Sequence, residues 1–306
     1  MVIRKAKLAG SWYSGSKERL KKDIEQCFLN KEFGPGSLPS PQENNERKII
    51  GAVSPHAGYR FSGPCAAYSY FNIFKENTPD TIIVIGFYHR GMGPDAFLRK
   101  GEWETPLGNL SIDEDFTDEL INNSKVIVPN ERVFINSDEN SIELQMPFIK
   151  FCAGKKDTKV VPIKITSHDY DNIELIASDI ANAIKKLKKN ISIISSSDMS
   201  HYNIFNEEQL NILKEIDNTE ITQFRNMDGK KFLDPISYIS KKLYNTFSMG
   251  GGPTVCGRHT IATLMLTCKK LDALNAKCLK YYTSKDIEYS TSPWTVGYFS
   301  GAISTE

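Results

Sequence analysis

No apolar run of roughly 18 residues occurs anywhere in this chain of 306, so the sequence offers no segment suited to spanning a bilayer. The basic start, Met1-Val-Ile-Arg-Lys-Ala-Lys-Leu8, lacks the apolar stretch of a secretory signal. Net charge is also nearly missing. The 38 basic and 37 acidic side chains leave +1, and no overall field draws the protein to nucleic acid or to an anionic membrane. The six cysteines (Cys27, Cys65, Cys152, Cys256, Cys268 and Cys278) stand singly, with no CxxC pair. That spacing suits reduced thiols better than a disulfide framework or a structural zinc knuckle. We therefore expect a cytoplasmic protein with no membrane insertion and no nucleic-acid partner.

Several chemical signatures are absent as well. Gly250-Gly-Gly-Pro-Thr-Val255 has no P-loop lysine and does not match GxGxxG, so no nucleotide cofactor is expected. Without GxSxG or HExxH, serine-hydrolase and zincin chemistry lose their usual anchors. No repeat of fixed period appears, and no linker divides the chain, so one domain over residues 1–306 is expected.

What is present alternates. Leu20, Ile24, Cys27 and Phe28 recur at helical spacing and predict a helix from Ser16 to Leu29, followed by a Gly- and Pro-rich loop from Phe33 to Arg47. Runs rich in β-branched residues at Ile49–Val53, Thr81–Ile85, Val160–Ile165 and Ile191–Ile194 read as strands covered on both faces. Helix-like segments lie between and after them: Cys65–Phe74, Ser141–Cys152, Asn172–Lys188, Glu207–Phe224, Asp234–Tyr244 and His259–Leu271. Leu279–Tyr282 and Trp294–Phe299 are late strands. This alternation predicts an α/β architecture with a mostly parallel sheet.

Three histidines follow such strands: His56, His89 and His201. In open α/β sheets ligands gather at the carboxyl ends of strands, and a right-handed crossover puts the ends after Val53 and Ile85 on one side. His56 and His89 can thus meet at one ion, although each taken alone also reads as a hydrogen-bonded loop residue. Two candidates exist for a third ligand. Cys256 precedes an apolar helix whose N-terminus, with Arg258, favours a thiolate. Glu143 would instead complete a two-histidine, one-carboxylate set; its bland reading is the N3 partner of an Asn140 N-cap. Asp198 lies three residues before His201 and can orient it as an acid/base pair, while Ser197 or Asp198 can equally cap a helix.

Taken together, seven collinear segments resemble the Memo family (mediator of ErbB-driven cell motility) over essentially the whole chain. They are Ala9-Gly-Ser-Trp-Tyr13, Pro55-His-Ala-Gly-Tyr59 with Ser62-Gly63 and Cys65-Ala-Ala67, Gly86-x-x-His89, Thr105-Pro-Leu107, Asp138-Glu-x-Ser-Ile-Glu143, Ser196-Ser-Asp198 with His201, and Cys256-Gly-Arg-His259. The resemblance implies a fold like that of the class III extradiol dioxygenases, with a central, mostly parallel mixed sheet flanked by helices and a pocket at one edge. It places the metal positions on His56, His89 and Cys256, and pocket positions on Asp198, His201 and Trp12. Where the family carries histidine in Asp-Glu-His-Ser-Ile-Glu, this chain has Asn140, which cannot take a proton near neutrality.

Two imidazoles and a thiolate suit iron or copper, with zinc also compatible. A catalytic member would be a non-haem, metal-dependent oxidoreductase. Extradiol dioxygenases offer a carboxylate where Cys256 stands, which argues against catechol cleavage itself. A different class also follows from the resemblance, since animal Memo proteins are described as adaptors for phosphotyrosine peptides. A pocket with Trp12, the histidines and Arg258 would then take such a peptide or a small aromatic ligand, and Glu143 is a further expected pocket residue. Metal-dependent hydrolysis is a third option.

Overall fold

The computed structural model describes residues 2–42, 46–89, 93–240, 255–287 and 292–306. Twelve strands fall among them: β1 (Ile3–Arg4), β2 (Ile49–Ser54), β3 (Thr81–Phe87), β4 (Ala96–Phe97), β5 (Glu102–Trp103), β6 (Leu110–Ser111), β7 (Val128–Pro129), β8 (Lys159–Ile165), β9 (Ile191–Ser196), β10 (His201–Asn203), β11 (Asn275–Thr283) and β12 (Trp294–Ser304). Nine of them form one sheet in the order β10-β12-β2-β9-β3-β8-β4-β7, with β11 also paired to β12; β1, β5 and β6 make a small separate sheet.

The four β-branched runs read from the sequence are the central strands β2-β9-β3-β8, all parallel, with Ala52 beside Ile194 and Ile83 beside Ile193. Both margins turn antiparallel, where β12 joins β2 and β4 joins β8. Alternate residues of the central strands enter two different cores, because side chains in a strand point to opposite faces. Val53, Ile83 and Ile85 pack on one side of the sheet, and Ala52, Ile82 and Val84 on the other. Each fully buried aliphatic side chain contributes roughly 1.5–3 kcal/mol. Covering by helices on both faces is therefore what makes these nearly uncharged runs stable as strands.

The first helix runs Lys17–Leu29, with Ser16 as N-cap accepting from the Arg19 N–H. The other main helices are Tyr59–Glu76, Tyr170–Leu187, Glu207–Arg225 and Arg258–Lys270, close to the segments expected. One expectation fails in an instructive way. Ser141–Cys152 is two helices, Asn140–Glu143 and Met146–Ala153, because Pro147 has no N–H to continue the ladder. Of Asp234–Tyr244 only a short 3-10 turn at Pro235–Ser237 is regular among the described residues; residues 241–244 and the Gly250–Gly252 loop lie outside them. The described part of Phe33–Arg47 holds neither helix nor strand, as expected. Among the described residues no helix is long and apolar enough to cross a membrane.

Candidate metal centre

Strand order brings the ends of β2, β9 and β3 side by side, all pointing the same way. His56 follows β2, Asp198 follows β9 and His89 follows β3. The remaining member arrives from the far end of the sequence. Cys256 precedes the helix Arg258–Lys270 and reaches the sheet edge because Gly257 has no side chain. A Cβ there would meet the Ser196 carbonyl oxygen at 2.6 Å and Ser197 Cβ at 2.7 Å, while the Gly257 N–H donates to Ser197 Oγ at 2.9 Å.

One ligand atom from each of His56, His89 and Cys256 lies within 4.8 Å of the others. Cys256 Sγ is 3.2 Å from His56 Nε2, and the two imidazole rings stand at 89° with centroids 5.3 Å apart. Two nitrogens and one sulfur at this separation fit a borderline-to-soft transition ion and not magnesium or calcium.

The thiolate favours the same occupant, and a protonated His89 balances its charge in the metal-free cluster. Burial alone would raise the Cys256 thiol, but His56 and His89 beside it outweigh that and hold it down at about 6. Burial would likewise lower His89; its hydrogen bonds and charge contacts with Cys256 and Glu139 instead raise it to about 10. Glu139, in turn, is drawn down to about 2 against its burial by His89 and backbone N–H groups. Arg258, expected to help ionise the thiol, does not face it.

Glu139 is a residue the sequence reading passed over, although it stands inside the Asp138–Glu143 motif. It, and not Asn140, is the N-cap of the helix Asn140–Glu143, accepting from the Ser141 N–H at 3.0 Å. Its carboxylate also takes the His89 backbone N–H at 2.9 Å and meets His89 Nδ1 at 2.7 Å. A carboxylate only accepts, so Nδ1 carries the proton and Nε2 is turned toward the sulfur. Glu139→Gln keeps the shape and removes the charge. We expect it to weaken metal binding roughly tenfold to hundredfold, measured by competition with a chelator.

The cluster opens on a cavity of about 670 Å³ lined by Trp12, Asn140, Asp198, His201 and the aromatic side chains Phe61, Trp294 and Tyr298. Asn140 donates through Nδ2 to the His56 carbonyl at 3.1 Å. His201 Nδ1 donates to the Met199 carbonyl at 3.0 Å, and its ring lies 5.6 Å from Trp294. Asp198 accepts from the His56 backbone N–H at 2.8 Å, and burial lifts its carboxyl to about 6. Its link to His201 is through charge; among the described residues no hydrogen bond joins the two side chains. No helix follows Ser197 and Asp198 to be capped; the chain passes into β10.

Two other expected pocket residues do not line this cavity. Glu143 is buried against Arg4, with Nη1 to Oε2 at 2.6 Å, and also takes the Leu8 N–H and the Tyr13 hydroxyl. Arg258 is paired with Glu220 at 2.6 and 2.8 Å and donates to the Phe232 carbonyl. Each ion pair anchors a segment next to the site, since Glu143 ends the helix that begins at Asn140 and Arg258 follows Cys256 by two residues. Sequence spacing carried no sign of this, since the partners come from distant elements.

A further buried carboxyl supports the segment bearing Asp198 and His201. Asp217, in the helix Glu207–Arg225, accepts from the Ser200 N–H at 3.0 Å and the Tyr281 hydroxyl at 2.8 Å. Burial pushes it up to about 7, against its Ser200 and Tyr281 hydrogen bonds and with help from nearby Glu220. Between the ordinary value of 3.8 and about 7 the folded protein thus binds more protons than the unfolded chain, and stability falls as pH rises through that window. Asp217→Asn should remove this slope and, at about pH 8, stabilise the protein by on the order of 1–3 kcal/mol in chemical denaturation.

A mixed α/β sheet whose adjacent strand ends bring two imidazoles beside a thiol defines an α/β protein with a cluster that could hold a metal ion. The sequence profile described as Memo-like protein matches residues 4–302, and the chain belongs to that family. MEMO1 family proteins of Nitrosopumilus maritimus and Methanobrevibacter smithii are 35% identical over 305 residues and 36% identical over 303. The alignments cover 99% and 98% of this chain and 99% of each relative. A crystal structure of an uncharacterized protein from Escherichia coli K12 shares the fold, at TM-score 0.50 and 9% identity, over 84% of this chain and all of that one.

Proposed function

We propose that the pocket holds one redox-capable transition ion, iron or copper, and serves an intracellular redox role; zinc suits the same donors but would be redox-inert. The observation that carries this reading is the convergence of His56, His89 and the low-pKa Cys256 within 4.8 Å at the mouth of a cavity. Such an ion would supply one-electron chemistry and, with three protein ligands, open coordination positions. The chain's own residues do the rest. Glu139 fixes the orientation and proton of His89. His201, whose Nδ1–H donates to the Met199 carbonyl, lines the cavity as the imidazole that exchanges protons with a bound molecule in this reading. Asp198, at about 6, is the second proton-holding group, coupled to His201 through charge.

The aromatic lining of Trp12, Phe61, Trp294 and Tyr298 favours a small aromatic ligand in the same cavity. The phosphotyrosine-peptide reading has less support, because the Arg258 guanidinium it draws on is committed to Glu220. Anaerobic purification followed by elemental analysis and paramagnetic resonance tests the proposal. About one iron or copper per chain is expected. A protein that takes up neither ion under anaerobic reconstitution, with its thermal stability unmoved by either, overturns it.

A further inference from the structure

Ser196, the last residue of β9, is wholly buried, and its hydroxyl has three polar neighbours. These are the Ser141 carbonyl, Gln145 Nε2 at 2.8 Å and His56 Nδ1 at 2.9 Å. A hydroxyl has one proton to give and two lone pairs to offer. The Ser141 carbonyl can only accept, so the hydroxyl proton lies on that side. Gln145 is oriented by its other contacts: Nε2 donates to the Pro55 carbonyl at 3.0 Å, and the Tyr70 hydroxyl donates to Oε1 at 2.6 Å. Its second amide hydrogen therefore occupies one Ser196 lone pair. Only an acceptor remains for His56.

We propose that Ser196 is a positioning residue that fixes the proton of His56 on Nδ1 and thereby assigns Nε2 to the Cys256 side. The consequence for metal binding rests on the proposed function, but the proton assignment stands on the hydrogen bonds alone. The two imidazoles then share one pattern, Nδ1–H outward and Nε2 inward, enforced by unlike acceptors. A carboxylate holds His89 and a neutral hydroxyl holds His56. A metal ligand whose other nitrogen is tied this way keeps its ring orientation and its free lone pair.

The test uses metal-free, full-length protein with nitrogen-15 histidine, the His56 signals being assigned from a His56→Gln variant. In the wild type near neutrality His56 Nδ1 should show the signature of a protonated, pyrrole-type nitrogen. In Ser196→Ala Nδ1 loses its acceptor, so it should lose its proton and leave Nε2, beside the Cys256 sulfur, as the ring's protonated nitrogen, and iron or copper affinity should fall roughly tenfold to hundredfold. Gln145→Met also deletes buried hydrogen bonds but leaves the Ser196 lone pair in place, and it should retain the Nδ1 proton. An unprotonated Nδ1 in the wild type overturns the proposal. So does a Ser196→Ala protein with unchanged signals and affinity, or a Gln145→Met protein that shifts the proton as Ser196→Ala does. If the wild type binds neither metal, the functional reading falls while the nitrogen signals still decide this one.

Discussion

Cys256→Ala should leave a folded protein that no longer retains iron or copper. Removing the sulfur deletes the only soft donor and the only anionic one in the cluster of three. It also lifts part of the charge that holds His89 up at about 10. Loss of a direct ligand should exceed the tenfold to hundredfold effect of losing an outer partner, so affinity should drop by at least roughly a hundredfold. Stability should change little, because Cys256 is only half-buried and precedes its helix. Cys256→Ser separates shape from chemistry: a hydroxyl of similar size stays protonated and binds soft ions poorly. Elemental analysis paired with thermal unfolding of each variant checks the prediction. Stoichiometric metal in Cys256→Ala would refute it.

The second large effect concerns stability. Arg4 and Glu143 have side chains only 1% exposed, and Arg4 also stacks over the Trp103 ring at 4.8 Å. Glu143→Ala would leave that guanidinium buried without its counter-charge. It would also strip the Leu8 N–H and the Tyr13 hydroxyl of their acceptor. Breaking a buried pair by deleting one partner costs about 3–5 kcal/mol, far more than intact surface pairs contribute. Chemical denaturation should show this loss, with Glu143→Gln falling between. A change under about 1 kcal/mol would mean the pair is not the clamp its geometry describes. The segment it clamps carries Trp12, so the pocket rim should loosen with it.

The strands were readable because being covered on both faces leaves an unmistakable run of β-branched residues, as in Thr81–Ile85 and Ile191–Ile194. The placement of His56 and His89 followed from strand order and needed no side-chain detail. Cys256 was visible as a candidate, but its approach depends on Gly257 pressing against the end of β9, which spacing cannot show. Arg258 and Glu143 were misplaced for one reason: a charge next to a motif looks like part of it until its buried partner, Glu220 or Arg4, is known. Glu139 and Ser196 were missed for the converse reason. Acceptors that set a histidine's proton are identified by contacts across 50 and 140 residues of chain. The break at Leu144–Gln145 was within reach, since Pro147 announces it.

The position of β12 also governs when the pocket can exist. This late strand lies inside the sheet, bonded to β10, β11 and β2, and it supplies the wall residues Trp294, Val296 and Tyr298. His201, on β10, joins the sheet through β12. Synthesis from the N-terminus therefore delivers both metal-type histidines long before the wall that encloses them, and the closing contacts span most of the chain. Such non-local pairing is slow. An ion bound as proposed would therefore enter after the last strand is seated, because a ribosome-bound chain would offer it only scattered donors.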